Sequence, residues 1–150
     1  MLVSKTGVVG SIPTEPAKKQ KYNIMCLTNY IETKGIKFHW GFKLLPKDFV
    51  AITLFGHVFS NLSKEELEKY ISSKTGKETV NHEHIHILQA KSFKLKYFTF
   101  YILYFWYWFI GLFKYGIKNN ISYYNIPFEK EAYANENNPN YNKTNWKQYK

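Results

Sequence analysis

The stretch Asn81-His82-Glu83-His84-Ile85-His86 holds the residues of this chain best spaced for chemistry. Read as a helix, His82 and His86 stand one turn apart and about 40° apart around the axis, so both imidazoles can reach one ion. Glu83 points to the same side and can take a proton from water activated by that ion. Two imidazoles in this His-Glu-x-x-His pattern make Zn²⁺ the expected cofactor and metal-assisted hydrolysis the expected chemistry.

The elements that must position these groups follow from local pattern. On a helical wheel His82, Glu83, His86, Gln89 and Ala90 share one side, while Val80, Ile85, Ile87 and Leu88 fall broadly on the other. That is a helix with its apolar back in a core and its polar front on a cleft. His84 lies on the back, where a partly buried histidine bonded to a backbone carbonyl is expected. At strand period His82, His84 and His86 would instead share a face and form a strand-borne metal site. The run 87–90 continues the helical wheel better. Thr79 is expected to cap this helix, which should run to Lys91 or Ser92. Gln89, one turn beyond His86, can orient a ligand or stand as an ordinary polar position.

Upstream, 1–21 reads as a loop or N-terminal arm and 22–150 as a single domain. Strand-like runs over 21–33 and 36–45 meet near Lys34-Gly35, and 49–59 is a third. His57 on that run could approach the cleft, although a strand histidine is more often structural. Ser63-Lys64-Glu65-Glu66 is a capping box opening a helix that should stop near Thr75-Gly76. Downstream, 97–113 carries no charge and is flanked by Lys94, Lys96, Lys114 and Lys118. It reaches the lower limit of the roughly 17–25 residues needed to cross a bilayer, yet aromatics fill the whole run rather than two belts. A helix buried against the motif helix accounts for it; a membrane-associated or partner-binding helix is the alternative. After a break at Asn119-Asn120, Pro127 predicts a helix from Phe128 to about Asn135. It bears Glu129 and Glu131, with Glu136 at its end.

A catalytic zinc keeps three protein ligands plus water, so the histidines need a partner. Glu129 is one candidate. Glu131 lies about 200° further around the helix, so both cannot face one ion, and Glu136 shares the face of Glu129 two turns on. The arrangement resembles the glutamate-zincin (thermolysin-like) superfamily, in which a helix glutamate followed three residues later by a small residue is the third ligand. Glu129-Lys130-Glu131-Ala132 matches that pattern. The resemblance implies Glu129 as ligand beside His82 and His86, with Ala132 letting the two helices approach.

With 51–56, 81–89, the aromatic helix and 124–133, the chain also resembles small zinc-metallopeptidase-like proteins of Bacteroidetes and their phages, over about residues 36 to 142. That likeness implies a minimal gluzincin fold, and hydrolysis of a peptide or protein substrate with Glu83 as general base. One departure stands out: a helix between the two motifs should carry some charge, whereas 97–113 carries none. An oxyanion donor is also required, for which Tyr123, Tyr124, Tyr133 and His57 are candidates. The competing readings are a catalytically silent, zinc-stabilised binding or structural protein, and a membrane-associated protein built on 97–113.

Composition bounds these readings. A chain of 150 residues is one domain with a real core. The net charge is +10, and every basic residue is lysine. Nucleic-acid readers rely on arginine forks, so nucleic acid is not an expected partner. Lysines spread along the chain read as a solvated basic surface, with an acidic partner or anionic membrane surface as the alternative. Cys26 is alone and can form no internal disulfide. Residues 1–13 lack a sustained apolar core, so no secretory signal is read there and the expected compartment is the cytoplasm. The expected fold is α+β: a small N-terminal antiparallel sheet followed by helices, zincin-like, with the site between the motif helix and the glutamate-bearing helix.

Overall fold

Short apolar runs separated by glycine turns fold the first part of the chain into a sheet. The computed structural model describes residues 2–4, 30–45, 49–116 and 121–142. Among them the strands are β1 (Leu2–Ser4), β2 (Tyr30–Thr33), β3 (Ile36–His39), β4 (Phe49–Leu54) and β5 (His57–Ser60), in the order β1-β4-β5-β3-β2. Lys34-Gly35 has φ of 50° and 73°, and Phe55-Gly56 has 52° and 82°. Positive φ at both central residues marks the type I′ turn, whose twist suits a two-residue hairpin. The run expected as one strand over 49–59 is therefore a hairpin. Phe55 occupies the position that asparagine usually holds, which hides the turn.

The sheet is mixed rather than antiparallel. β3 runs parallel to β5, while β1/β4, β2/β3 and β4/β5 are antiparallel. Burial explains the difference: setting β5 beside β3 gathers Ile36, Phe38 and Val58 with Leu67, Val80 and Ile87 in one core. The segment after β3 closes on the end of β5, with the Phe42 N–H donating to the Ser60 carbonyl at 2.7 Å. β1 is an edge strand on β4, so Leu2–Ser4 is sheet rather than loop. The rest of the expected arm, Cys26, the first part of the strand expected over 21–33, the turn at 46–48, the break at Asn119-Asn120 and the tail beyond 142 lie outside the described residues.

The helices follow. α1 (Lys64–Ser72) opens on the expected capping box: the Ser63 hydroxyl accepts from the Glu66 N–H, and the Glu66 carboxylate accepts from the Ser63 N–H. It ends earlier than expected, because Ser73 caps the next helix. The Ser73 hydroxyl accepts from the Gly76 N–H at 3.0 Å and opens α2 (Lys74–Lys91). Gly76 is needed inside that first turn, since a Cβ there would lie 1.7 Å from the Tyr70 carbonyl oxygen. Thr79, expected as the cap, sits within α2 and meets the Tyr70 hydroxyl at 2.8 Å.

α2 is the central element. Val80 and Ile87 face the sheet core, while Ile85 and Ala90 join Phe93, Phe100, Ile126, Phe128 and Ala132 in a second core. That second core brings in α3 (Tyr97–Tyr115) and, beyond α4 (Ile121–Tyr124), α5 (Pro127–Asn135). α5 starts on Pro127 as expected, and Ala132 is fully buried. The expectation of a buried aromatic helix is met on one side only, because Phe100 and Gly111 are the sole buried residues of α3. No helix among the described residues is long and apolar enough to cross a membrane.

Candidate metal centre

One face of α2 and the first turn of α5 bring His82, His86 and Glu129 together, all three buried. The Nε2 atoms of His82 and His86 lie 3.1 Å apart. His82 Nε2 stands 3.2 Å from one oxygen of Glu129, and His86 Nε2 stands 3.4 Å from the other. A tetrahedral zinc with bonds of about 2.0–2.1 Å separates its ligands by roughly 3.3 Å. The quoted separations lie near that value, each imidazole facing a different oxygen of Glu129, and with one donor atom taken per residue the three lie within 4.8 Å of one another.

The far side of each imidazole fixes its tautomer. Gln89 donates its amide to the Phe128 carbonyl at 3.0 Å, so its oxygen faces His86 and accepts from His86 Nδ1–H at 2.6 Å. His82 Nδ1–H donates to the Glu136 carboxylate at 3.1 Å. With Nδ1 protonated in both rings, both Nε2 lone pairs and a carboxylate converge on one point. Such a cluster requires a cation, either a proton or a metal ion. Glu129 is held in turn by Tyr104, whose hydroxyl donates to Oε1 at 2.7 Å. Its other oxygen, Oε2, faces His82 Nε2 at 3.2 Å. Side chains that hold metal ions are commonly oriented by hydrogen-bonded neighbours of this kind.

The electrostatics show the same demand for positive charge. Burial alone would lower the pKa of His82, but its contacts with Glu129 and Glu136 outweigh this and raise it to about 10. Burial pushes Glu129 up, yet the charge of His86 and the contacts with both imidazoles hold it well below the usual carboxylate range. Tyr104 is driven far above 10 by burial and by Glu129, so it remains a phenol and a donor. Glu83 is fully buried, and neither of its carboxylate oxygens has a hydrogen-bond partner among the described residues. An orphaned carboxylate one residue from His82 is costly to keep unless a water or substrate uses it. Beside His86 a cavity of about 60 Å³, lined by Thr53, Gly56, Tyr97, Phe100, Tyr101 and Tyr104, has room for a few water molecules.

The remaining candidates divide clearly. Glu131 faces elsewhere and accepts from the Tyr141 hydroxyl. His84 is half-buried, and its Nδ1–H donates to the Lys34 carbonyl at 3.0 Å, the state its wheel position implies. His57 is engaged with His39 at 2.8 Å rather than with the metal centre. Tyr133 sets its ring edge-on to His82 with centroids 4.5 Å apart, while Tyr124 packs on Tyr133 and Tyr123. Lys34 ties this region to the sheet: its ammonium donates to the Pro139 carbonyl at 3.0 Å and also meets the Asn81 side chain. Asn81 in turn donates to the Glu136 carbonyl at 2.9 Å. Tyr104 and the contact of Glu136 with His82 were not expected. Glu136 had one signal, its place on the face of Glu129; Tyr104 had none among 13 tyrosines.

No protein-family model, curated protein or solved structure matches the chain.

Proposed function

We propose that the chain is a zinc-dependent metallopeptidase of the gluzincin type, with His82, His86 and Glu129 as ligands and Glu83 as general base. The observation that carries this reading is two tautomer-fixed imidazoles and a buried carboxylate whose donor atoms lie within 4.8 Å of one another. The orphaned Glu83 carboxylate stands beside them in sequence. A bound Zn²⁺ would supply Lewis acidity toward the scissile carbonyl and the attacking water. Glu83 accepts the proton of that water and returns it to the leaving amine. Gln89 and Glu136 hold the imidazoles in register, and Tyr104 holds Glu129. Among the candidate oxyanion donors, Tyr133 is both beside His82 and open to solvent.

The burial of His82, Glu83, His86 and Glu129 favours a second reading, a zinc-stabilised binding or structural protein without turnover. Both readings require the metal, and only the first requires Glu83. Metal content by mass spectrometry should give about one zinc per chain, lost in His82→Ala and Glu129→Ala and kept in Glu131→Ala. Casein hydrolysis should fall about 100- to 10,000-fold in Glu83→Gln with zinc retained. Zinc without cleavage in the wild type leaves the second reading. A wild type that takes up no zinc after reconstitution defeats both.

A further inference from the structure

α3 has two unlike sides. Phe100, Tyr104 and Tyr107 pack against the core. On the opposite side Phe98, Ile102, Phe105, Trp106, Phe109 and Phe113 recur at helical spacing within an arc of roughly 100°, and they are 40–79% exposed. The patch continues onto Phe55, 62% exposed at the tip of the β4–β5 turn. The Phe55 ring meets Tyr101 edge-on at 5.1 Å, and its N–H donates to the Tyr101 hydroxyl at 2.8 Å. Two separate elements thus present one apolar surface, which calls for an occupant.

Charge selects among occupants. Lys94 and Lys96 are exposed at one end of α3 and Lys114 at the other, and residues 92–128 contain no aspartate or glutamate. A second copy seated on this face would set lysines against lysines in either orientation, with no carboxylate in residues 92–128 to pair them. An anionic bilayer surface supplies both requirements, an acyl boundary for the aromatics and phosphates for the lysines. α3 is too weakly apolar to span a bilayer, but an amphipathic helix of this kind lies in the interfacial plane. We propose that the exposed face of α3, extended by Phe55, docks the protein peripherally on anionic phospholipid membranes.

Flotation of the full chain with vesicles of equal parts phosphatidylglycerol and phosphatidylcholine tests this, with pure phosphatidylcholine vesicles alongside. The wild type should bind the anionic vesicles at least tenfold more tightly than the neutral ones, less so at high salt. Lys94→Gln/Lys96→Gln/Lys114→Gln should weaken binding about a hundredfold. Phe105→Gln/Trp106→Gln/Phe109→Gln should abolish it. Circular dichroism and zinc content report whether each variant folds; should the aromatic variant fail, the lysine variant and the salt dependence decide. No binding by the wild type, equal binding to neutral vesicles, or binding untouched by either variant would overturn the proposal. So would a lipid-free dimer, seen by sedimentation velocity, that the aromatic variant converts to monomer.

Discussion

Glu136 and Gln89 hold the two imidazoles from behind, and at the scale of single residues they decide how well the site is preorganised. Glu136→Gln and Gln89→Ala should each weaken zinc binding about 10- to 100-fold in competition with a chromophoric chelator. Glu131→Gln, whose carboxylate accepts from Tyr141, should leave it unchanged; equal loss in all three would mean a general structural effect. Much of this scale was legible in the sequence, because helix geometry alone places His82, Glu83 and His86 together and separates Glu129 from Glu131. The partner of His82 was not legible. Spacing puts Glu136 on the face of Glu129 but does not say that it meets His82, a tertiary contact made at the end of α5.

At the scale of elements, the candidate metal centre depends on the packing of α2 against α5, to which small residues contribute. Ala90 and Ala132 are fully buried in one cluster. Ala132→Leu should overpack that contact, costing about 1–3 kcal/mol in urea denaturation, and should lower zinc content by moving Glu129 away from the histidines. An unchanged zinc content at reduced stability would show that the site adjusts independently of the helix contact. The capping box at Ser63 and the proline start of α5 could be read directly, since each is a local hydrogen-bonding or dihedral constraint. Ser73 carries a weaker local signal than the stop at Thr75-Gly76, whose glycine serves close packing instead. The parallel pairing of β3 with β5 was beyond local reading, since it is settled by which strand completes the core.

For the whole molecule, the site links folding to pH. His82 rises from 6.5 to about 10 on folding, so its contribution is complete below pH 6.5 and fades as pH climbs toward 10. Glu129 is depressed from 4.5, so its contribution holds above pH 4.5 and is lost on acidification below it. With chelator present, the melting temperature should therefore decline between about pH 6.5 and 10. With zinc present, the ion takes the place of the proton and loses a competitor as pH rises, so stabilisation by zinc should grow over the same interval. Calorimetry at pH 6 and pH 9, with and without chelator, checks the opposite slopes; a flat chelated profile would show that His82 does not hold its proton.

The β2–β3 turn has a part in this too. Lys34 accepts from His84 through its carbonyl and reaches Pro139 and Asn81 through its ammonium, and Asn81 holds the Glu136 backbone. No ligand lies in that turn, yet it touches both the motif helix and the segment that carries the partner of His82. A shift of α5 against α2 should therefore disturb contacts of this exposed loop at the edge of the sheet. The backbone amides of Lys34 and Gly35 should shift in magnetic resonance spectra when zinc is added, without any group that builds the site being altered.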